Sequence, residues 1–126
     1  MSEKKRKRKV EEKKMKITVI YGGKSGEHEV SLVSATSVVK NIDLTKHSVN
    51  LIGITKEGKW FYQEESELNR IKEDEKATLQ IKEKYPVVIV PAGSKQNAIQ
   101  VETNGKYTNL YTDIVFPVLH GTFGED

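Results

Sequence analysis

"YGGKSGEHEVS", residues Tyr21 to Ser31, is the stretch on which the fold turns. Just before it, Ile17-Thr18-Val19-Ile20 is a short, largely β-branched run that reads as a buried strand. Just after it, Leu32, Ala35, Val39 and Ile42 recur at spacings of three, four and three, which puts them on one face of a helix ending near Asn41-Ile42-Asp43. Ser31 or a neighbour is expected to cap that helix. Strand, glycine loop and helix make the first half of a βαβ unit.

Outward from this unit the pattern stays α/β. Ser48–Thr55, "SVNLIGIT", reads as a second strand, and a Lys56–Lys59 turn leads from it into "WFYQ" as a hairpin, with Trp60 as a packing residue. Ser66–Lys84 is charged, with Leu68, Ile71, Leu79 and Ile81 thinly spread, and is expected to be a short surface helix followed by a loop. Val87–Val90 is a strand bracketed by Pro86 and Pro91. Asn104-Gly105 between Ile99–Glu102 and Lys106–Leu110 signals a tight hairpin, because both turn residues need positive φ. Asp113–Leu119, "DIVFPVL", is apolar on both faces and suits a central parallel strand, although Pro117 cannot donate to the ladder. The expected fold is an α/β domain with a mainly parallel sheet and added β-hairpins. Loops at Gly22–Ser31 and His120–Asp126 both leave strand C-terminal ends, where parallel sheets place ligand sites, so one cleft is expected between them.

The glycine loop fails two phosphate motifs. Gly23-Lys24-Ser25 resembles the end of a P-loop, but the leading glycine would fall at Thr18. A dinucleotide fingerprint needs glycine where Lys24 stands. Glu27-His28-Glu29 is a poor metal cluster, because successive helical residues point in different directions. His28 alone reads as a surface or supporting residue. The remaining feature is Glu27, a carboxylate at a helix N-terminus, which either caps the helix electrostatically or faces the cleft and holds a cation such as an ammonium.

The bulk numbers fit one small domain. The chain has 126 residues, no cysteine, 36% hydrophobic and 31% charged residues. It therefore has no disulfide framework or thiolate metal site, and no apolar run has the length of a membrane span. The net charge of +3 is confined to the start, where residues 1–14 hold eight of the 21 basic residues and three of the 18 acidic ones. The residues after Lys14 carry a net −2, so the body offers no electrostatic reason to expect nucleic acid. "MSEKKRKRKVEEKK" itself is too polar to fold and reads either as a basic targeting or nucleic-acid tail, or as a tag or translated leader with Met15 as the true start.

"YGGKSGEHEVSLVSA" and "VFPVLHGTFGED" together resemble the N-terminal domain of D-alanine–D-alanine ligases, members of the ATP-grasp superfamily, across Met15–Asp126. The resemblance implies a three-layer, Rossmann-like (pre-ATP-grasp) α/β domain of a cytoplasmic parent enzyme that joins two D-alanines for peptidoglycan through an acyl phosphate, using ATP and Mg2+. Carried over by motif position, Glu27 holds the ammonium of the first D-alanine, Val30 and Ser31 lie beside it, and His120 with Gly121 meets the reacting carboxylate. An ammonium needs a nearby carboxylate, and an acyl phosphate needs a hydrogen-bond donor, so these residue types suit those tasks. Glu125 and Asp126 are expected to order their loop. Domains of the family that bind nucleotide and magnesium are not matched by this sequence, so no cofactor is expected on it and it is expected to be inactive alone. The implied partners are D-alanine and a second copy of the chain, with no membrane and no nucleic acid. The competing reading is a non-catalytic α/β module that binds an amino acid or another protein.

Overall fold

The computed structural model describes residues 14–24, 26–89 and 99–119. Strands β1 (Lys16–Gly22), β2 (Ser48–Ile54), β3 (Trp60–Gln63), β4 (Tyr85–Ile89), β5 (Ile99–Thr103), β6 (Lys106–Asn109) and β7 (Ile114–Leu119) form one sheet in the order β6-β5-β4-β3-β2-β1-β7. β1 pairs in parallel with both β2 and β7, and every other pairing is antiparallel. Among the described residues two helices, α1 (His28–Lys40) and α2 (Glu65–Glu73), complete the mixed α/β architecture anticipated from the sequence. The β5–β6 turn has Asn104 and Gly105 at φ 53° and 81°, as the Asn-Gly signal requires.

The helices cover one sheet face. Val19 and Tyr21 of β1, Leu51 of β2, Leu32, Ala35 and Val39 of α1, Leu68 and Ile71 of α2, and Leu79 and Val118 form one buried cluster. Each fully buried large apolar side chain in it contributes roughly 1.5–3 kcal/mol relative to exposure. On the other face Ile20, Ile52, Ile54 and Ile99 pack with Trp60, Val87 and Leu110, so Trp60 is the hairpin packing residue expected of it.

Four local expectations are revised. The helix begins at His28 with Glu27 as N-cap residue, and no side chain caps it; Ser31 lies within its first turn. The charged middle segment is less superficial than its composition suggests, since Leu68, Ile71 and Leu79 are buried and even Glu67 is only 5% exposed. Pro86 sits inside β4, opposite Phe61, rather than before the strand. β7 is parallel, but it stands at the sheet edge with β1 as its only neighbour among the described residues.

Candidate functional site

β1 is the strand at which the sheet changes direction. The chain leaves β1 through α1 to β2 on one side, and β7 arrives much later on the other. Open α/β sheets bind ligands at the C-terminal ends of such strands, where loops to opposite sides leave a crevice. Gly22 and Leu119 are paired there, and the glycine loop begins at Gly22.

Gly22 and Gly23 have φ of 96° and 112°, a conformation that side chains oppose. Space adds a second requirement, since a Cβ at Gly22 would lie 2.2 Å from the Ile54 carbonyl oxygen. The close approach lets the Gly23 amide donate to that same carbonyl at 2.9 Å, tying the loop to the end of β2. Ser31, fully buried, is the second tie. Its Oγ accepts from the Gly22 amide at 2.8 Å and donates to the Val118 carbonyl, joining the first turn of α1 to the ends of both β1 and β7. His28 is the third tie and is buried, not superficial. Its Nδ1 lies 2.8 Å from the Gly23 carbonyl, which can only accept, so Nδ1 carries the proton.

These ties aim the start of α1 over the crevice. Glu27 and Val30 lie one turn apart on one side of the helix, and Val30 and Leu119 are both exposed. The Gly23 backbone runs beside Leu119, whose Cδ2 would be 3.9 Å from a Cβ there. The result is an open ledge with a carboxylate at a helix N-terminus, glycine backbone beside it and apolar side chains at its rim. Lys24 does not act as a P-loop lysine would, because its stem packs over the Gly58 turn. A cavity of about 280 Å³ lies on the other flank of α1, between His28, Lys56, Gln80 and Ile81, and a roomier one of about 510 Å³ lies at the opposite sheet edge beside Lys16, Asn50 and Tyr111. Neither includes Glu27, Val30 or Ser31, and topology favours the ledge over both. His120, Gly121, Glu125 and Asp126 follow β7 in the chain but lie outside the described residues, as do residues 1–13 of the 1–14 leader.

Beneath the ledge is a polar clamp that the sequence did not announce. Arg70 pairs with Glu67 through two hydrogen bonds of 2.7 and 3.1 Å, and also donates to the Thr78 carbonyl at 2.8 Å. Glu67 accepts from the Gln80 amide at 2.7 Å, and the Tyr21 hydroxyl donates to the Gln80 carbonyl at 2.7 Å. Burial, then the Glu67 carboxylate, holds the Tyr21 phenol well above its ordinary pKa, with Arg70 partly opposing. The clamp holds Ile81 against Gly53, where a Cβ would come within 2.6 Å of Ile81 Cγ1. Gly53 inside a strand was the available signal for such a close approach.

The family model described as the N-terminus of D-ala D-ala ligase matches residues 16–126. A D-alanine–D-alanine ligase of Treponema denticola is 47% identical over 114 residues, and one of Proteus mirabilis is 37% identical over 115. The matches cover 89% and 90% of this chain but only 30% of each relative. Among solved structures, VanG D-Ala:D-Ser ligase from Enterococcus faecalis aligns with TM-score 0.63 at 38% identity, covering 90% of this chain and 31% of that one. The D-alanine-D-alanine ligase from Coxiella burnetii aligns with TM-score 0.64 at 28% identity, covering 90% and 30%.

Proposed function

This chain belongs to the family of D-Ala–D-Ala ligase N-termini, and from that premise we propose that its ledge is the first D-alanine site of an ATP-dependent ligase. Glu27 receives the substrate ammonium, the glycine loop and Val30 shape the floor, and Ser31 keeps that floor in place through Gly22 and Val118. To His120 and Gly121, next in sequence after β7, the proposal assigns the carboxylate that becomes an acyl phosphate before the second amino acid attacks. The observation that carries this reading is that Ser31 ties the first turn of α1, which Glu27 directly precedes, to the ends of both β1 and β7. A carboxylate there gives an ammonium a charged partner, and the glycine backbone leaves room for a small side chain.

Among the described residues, no group of three histidines, aspartates or glutamates is placed to hold a metal ion. The P-loop reading of Gly23-Lys24-Ser25 also fails. No step through Mg2+ or a nucleotide is derived from the described residues. The proposal assigns both to the rest of the parent enzyme, along with the choice between D-alanine and D-serine at the second position. Homodimers and a cytoplasmic site of action are part of the same proposal.

The test is a titration of D-alanine and L-alanine into isotopically labelled chain, following the amides of Gly22, Gly23 and Gly26. D-alanine should move these signals, and Glu27→Gln should weaken the effect by about 30-fold or more, the scale of a lost charge-assisted pair. An E27Q protein that responds like the native one would overturn the assignment. Incubation with ATP, Mg2+ and D-alanine should yield no dipeptide from this chain alone.

A further inference from the structure

The cavity of about 280 Å³ on the other flank of α1 backs onto the glycine loop. It is lined by His28 and Leu32 of α1, by Glu57 in the turn after β2, and by Ile81 and Glu83 in the segment before β4. A Cβ built on Gly22 would lie 3.1 Å from both His28 Cε1 and Ile81 Cδ1, so these two side chains are the partition between cavity and loop. The His28 side chain is buried, at 7% exposure for the residue, and its two nitrogens are used unequally. Nδ1 gives its proton to the Gly23 carbonyl at 2.8 Å. Nε2 of the neutral ring is then a bare acceptor, and among the described residues nothing donates to it. The charges around the cavity are mostly of one sign. Lys56 pairs with Glu29 at 3.6 Å, which leaves Glu57 and Glu83 without an ion-pair partner among the described residues. Leu32 and Ile81 belong to the apolar core and give the cavity an apolar floor.

We propose that this cavity takes a small alkyl ammonium, separate from the ledge, and that its binding strengthens the first D-alanine site. One N–H of the ammonium donates to His28 Nε2, its charge faces Glu57 and Glu83, and its stem lies on Leu32 and Ile81. An imidazole lone pair and two carboxylates are all acceptors, so the ligand they select is positive and rich in N–H. Among the described residues no three histidines, aspartates or glutamates are placed to hold a metal ion, which favours an ammonium over the other kind of cation. The coupling runs through one ring. A charged N–H on Nε2 draws electron density from the imidazole, makes Nδ1–H a stronger donor, and tightens the hold on the Gly23 carbonyl. Linkage makes the effect mutual, so D-alanine on the ledge favours the amine by the same factor. The coupling rests on the ligase reading, and the amine site does not.

The experiment follows the His28 ring nitrogens and the Gly23 amide by NMR as n-butylamine is added to the isotopically labelled chain. The amine should shift Nε2 and Gly23 together. Neither n-butanol, which has the stem without the charge, nor tetramethylammonium, which has the charge without an N–H, should do so. His28→Asn keeps an amide N–H within reach of Gly23 and removes Nε2, so it should abolish the response. If that variant does not fold, Glu57→Gln with Glu83→Gln decides, and should weaken amine binding about threefold or more while leaving the Gly22 and Gly23 signals of the free chain in place. Nα-acetyl-lysine methylamide, titrated alongside, separates the two sources of such an ammonium, since tighter binding than butylamine makes the ligand a lysine of another protein. With the amine saturating, D-alanine should bind about fivefold more tightly. A His28 ring that ignores butylamine, answers tetramethylammonium equally, or responds to Zn2+ alone would overturn the amine site. Unchanged D-alanine affinity would overturn the coupling. A chain that takes the amine and is blind to D-alanine would sink the substrate assignment and leave the amine site standing.

Discussion

At the scale of single residues, the candidate site depends on groups that hold backbone in place. Replacing Ser31 by Ala leaves the Gly22 amide and Val118 carbonyl without their partner, both at buried positions, and should cost about 1–3 kcal/mol in denaturant unfolding. Tyr21 gives a pH signature. Its folded pKa is raised, so its stabilising effect is complete below the unfolded value of 10.0. It is lost as pH climbs beyond that value, because the unfolded chain then releases a proton that the folded one keeps. Stability should therefore fall more steeply above pH 10 in the native chain than in Tyr21→Phe, by about 1.4 kcal/mol per pH unit. Tyr62, half-buried and near Glu65 and Glu64, is raised too and leaves a residual slope in the variant. Comparing slopes avoids confusion with the Gln80 hydrogen bond that the variant also loses. That Glu27 stands at the start of the helix was legible from the sequence, but the residues alone left it as a helix cap or a cation ligand, and only the resemblance assigned it an ammonium. The role of Ser31 was not legible, because a serine near a helix start signals a cap, and only the fold brings Val118 beside it.

At the scale of elements, Gly53 is the point where β2 meets the segment after α2. Gly53→Ala would push a methyl into Ile81 and should cost about 1–3 kcal/mol by overpacking. In an Ile81→Ala background the same change should cost clearly less, and a double-mutant cycle on unfolding free energies reads the difference. An equal cost in both backgrounds would place the strain elsewhere. The contrast between the helices explains what local pattern can reveal. α1 carries Leu32, Ala35 and Val39 in register on its buried face, so both its existence and its inner side were readable. α2 buries only Leu68, Ile71 and Glu67, and its attachment depends on Arg70 reaching Thr78 and on Leu79 donating to Thr36 Oγ1 at 2.8 Å. Those are contacts between segments, and a count of apolar residues does not contain them.

At the scale of the molecule, the class of fold was readable and the sheet order was not. Strand periodicity identified the strands, and the Asn-Gly turn identified β5–β6 as a hairpin. The same apolar run that marked β7 as interior could not say that among the described residues it would pair with β1 alone, because pairing order is set by crossover and twist rather than by a strand's own residues. β1 thus gains its two neighbours from very different distances along the chain, and Ser31 reaches Val118 across 87 residues.

That separation has a consequence in time. During synthesis β1, α1 and β2 leave the ribosome together and can associate through nearby contacts, whereas the bond that anchors the glycine loop must wait for residue 118. Long closures form late, since their entropy is spent before their contacts return anything. Ser31→Ala should therefore speed unfolding while leaving the refolding limb of a chevron plot nearly unchanged. The nascent chain passes through an interval in which the strand beside Glu27 is already made and its other border is bare. On the proposed assignment of Glu27, the amino-acid site is complete only after the polypeptide has grown well past the residue that would hold the ammonium.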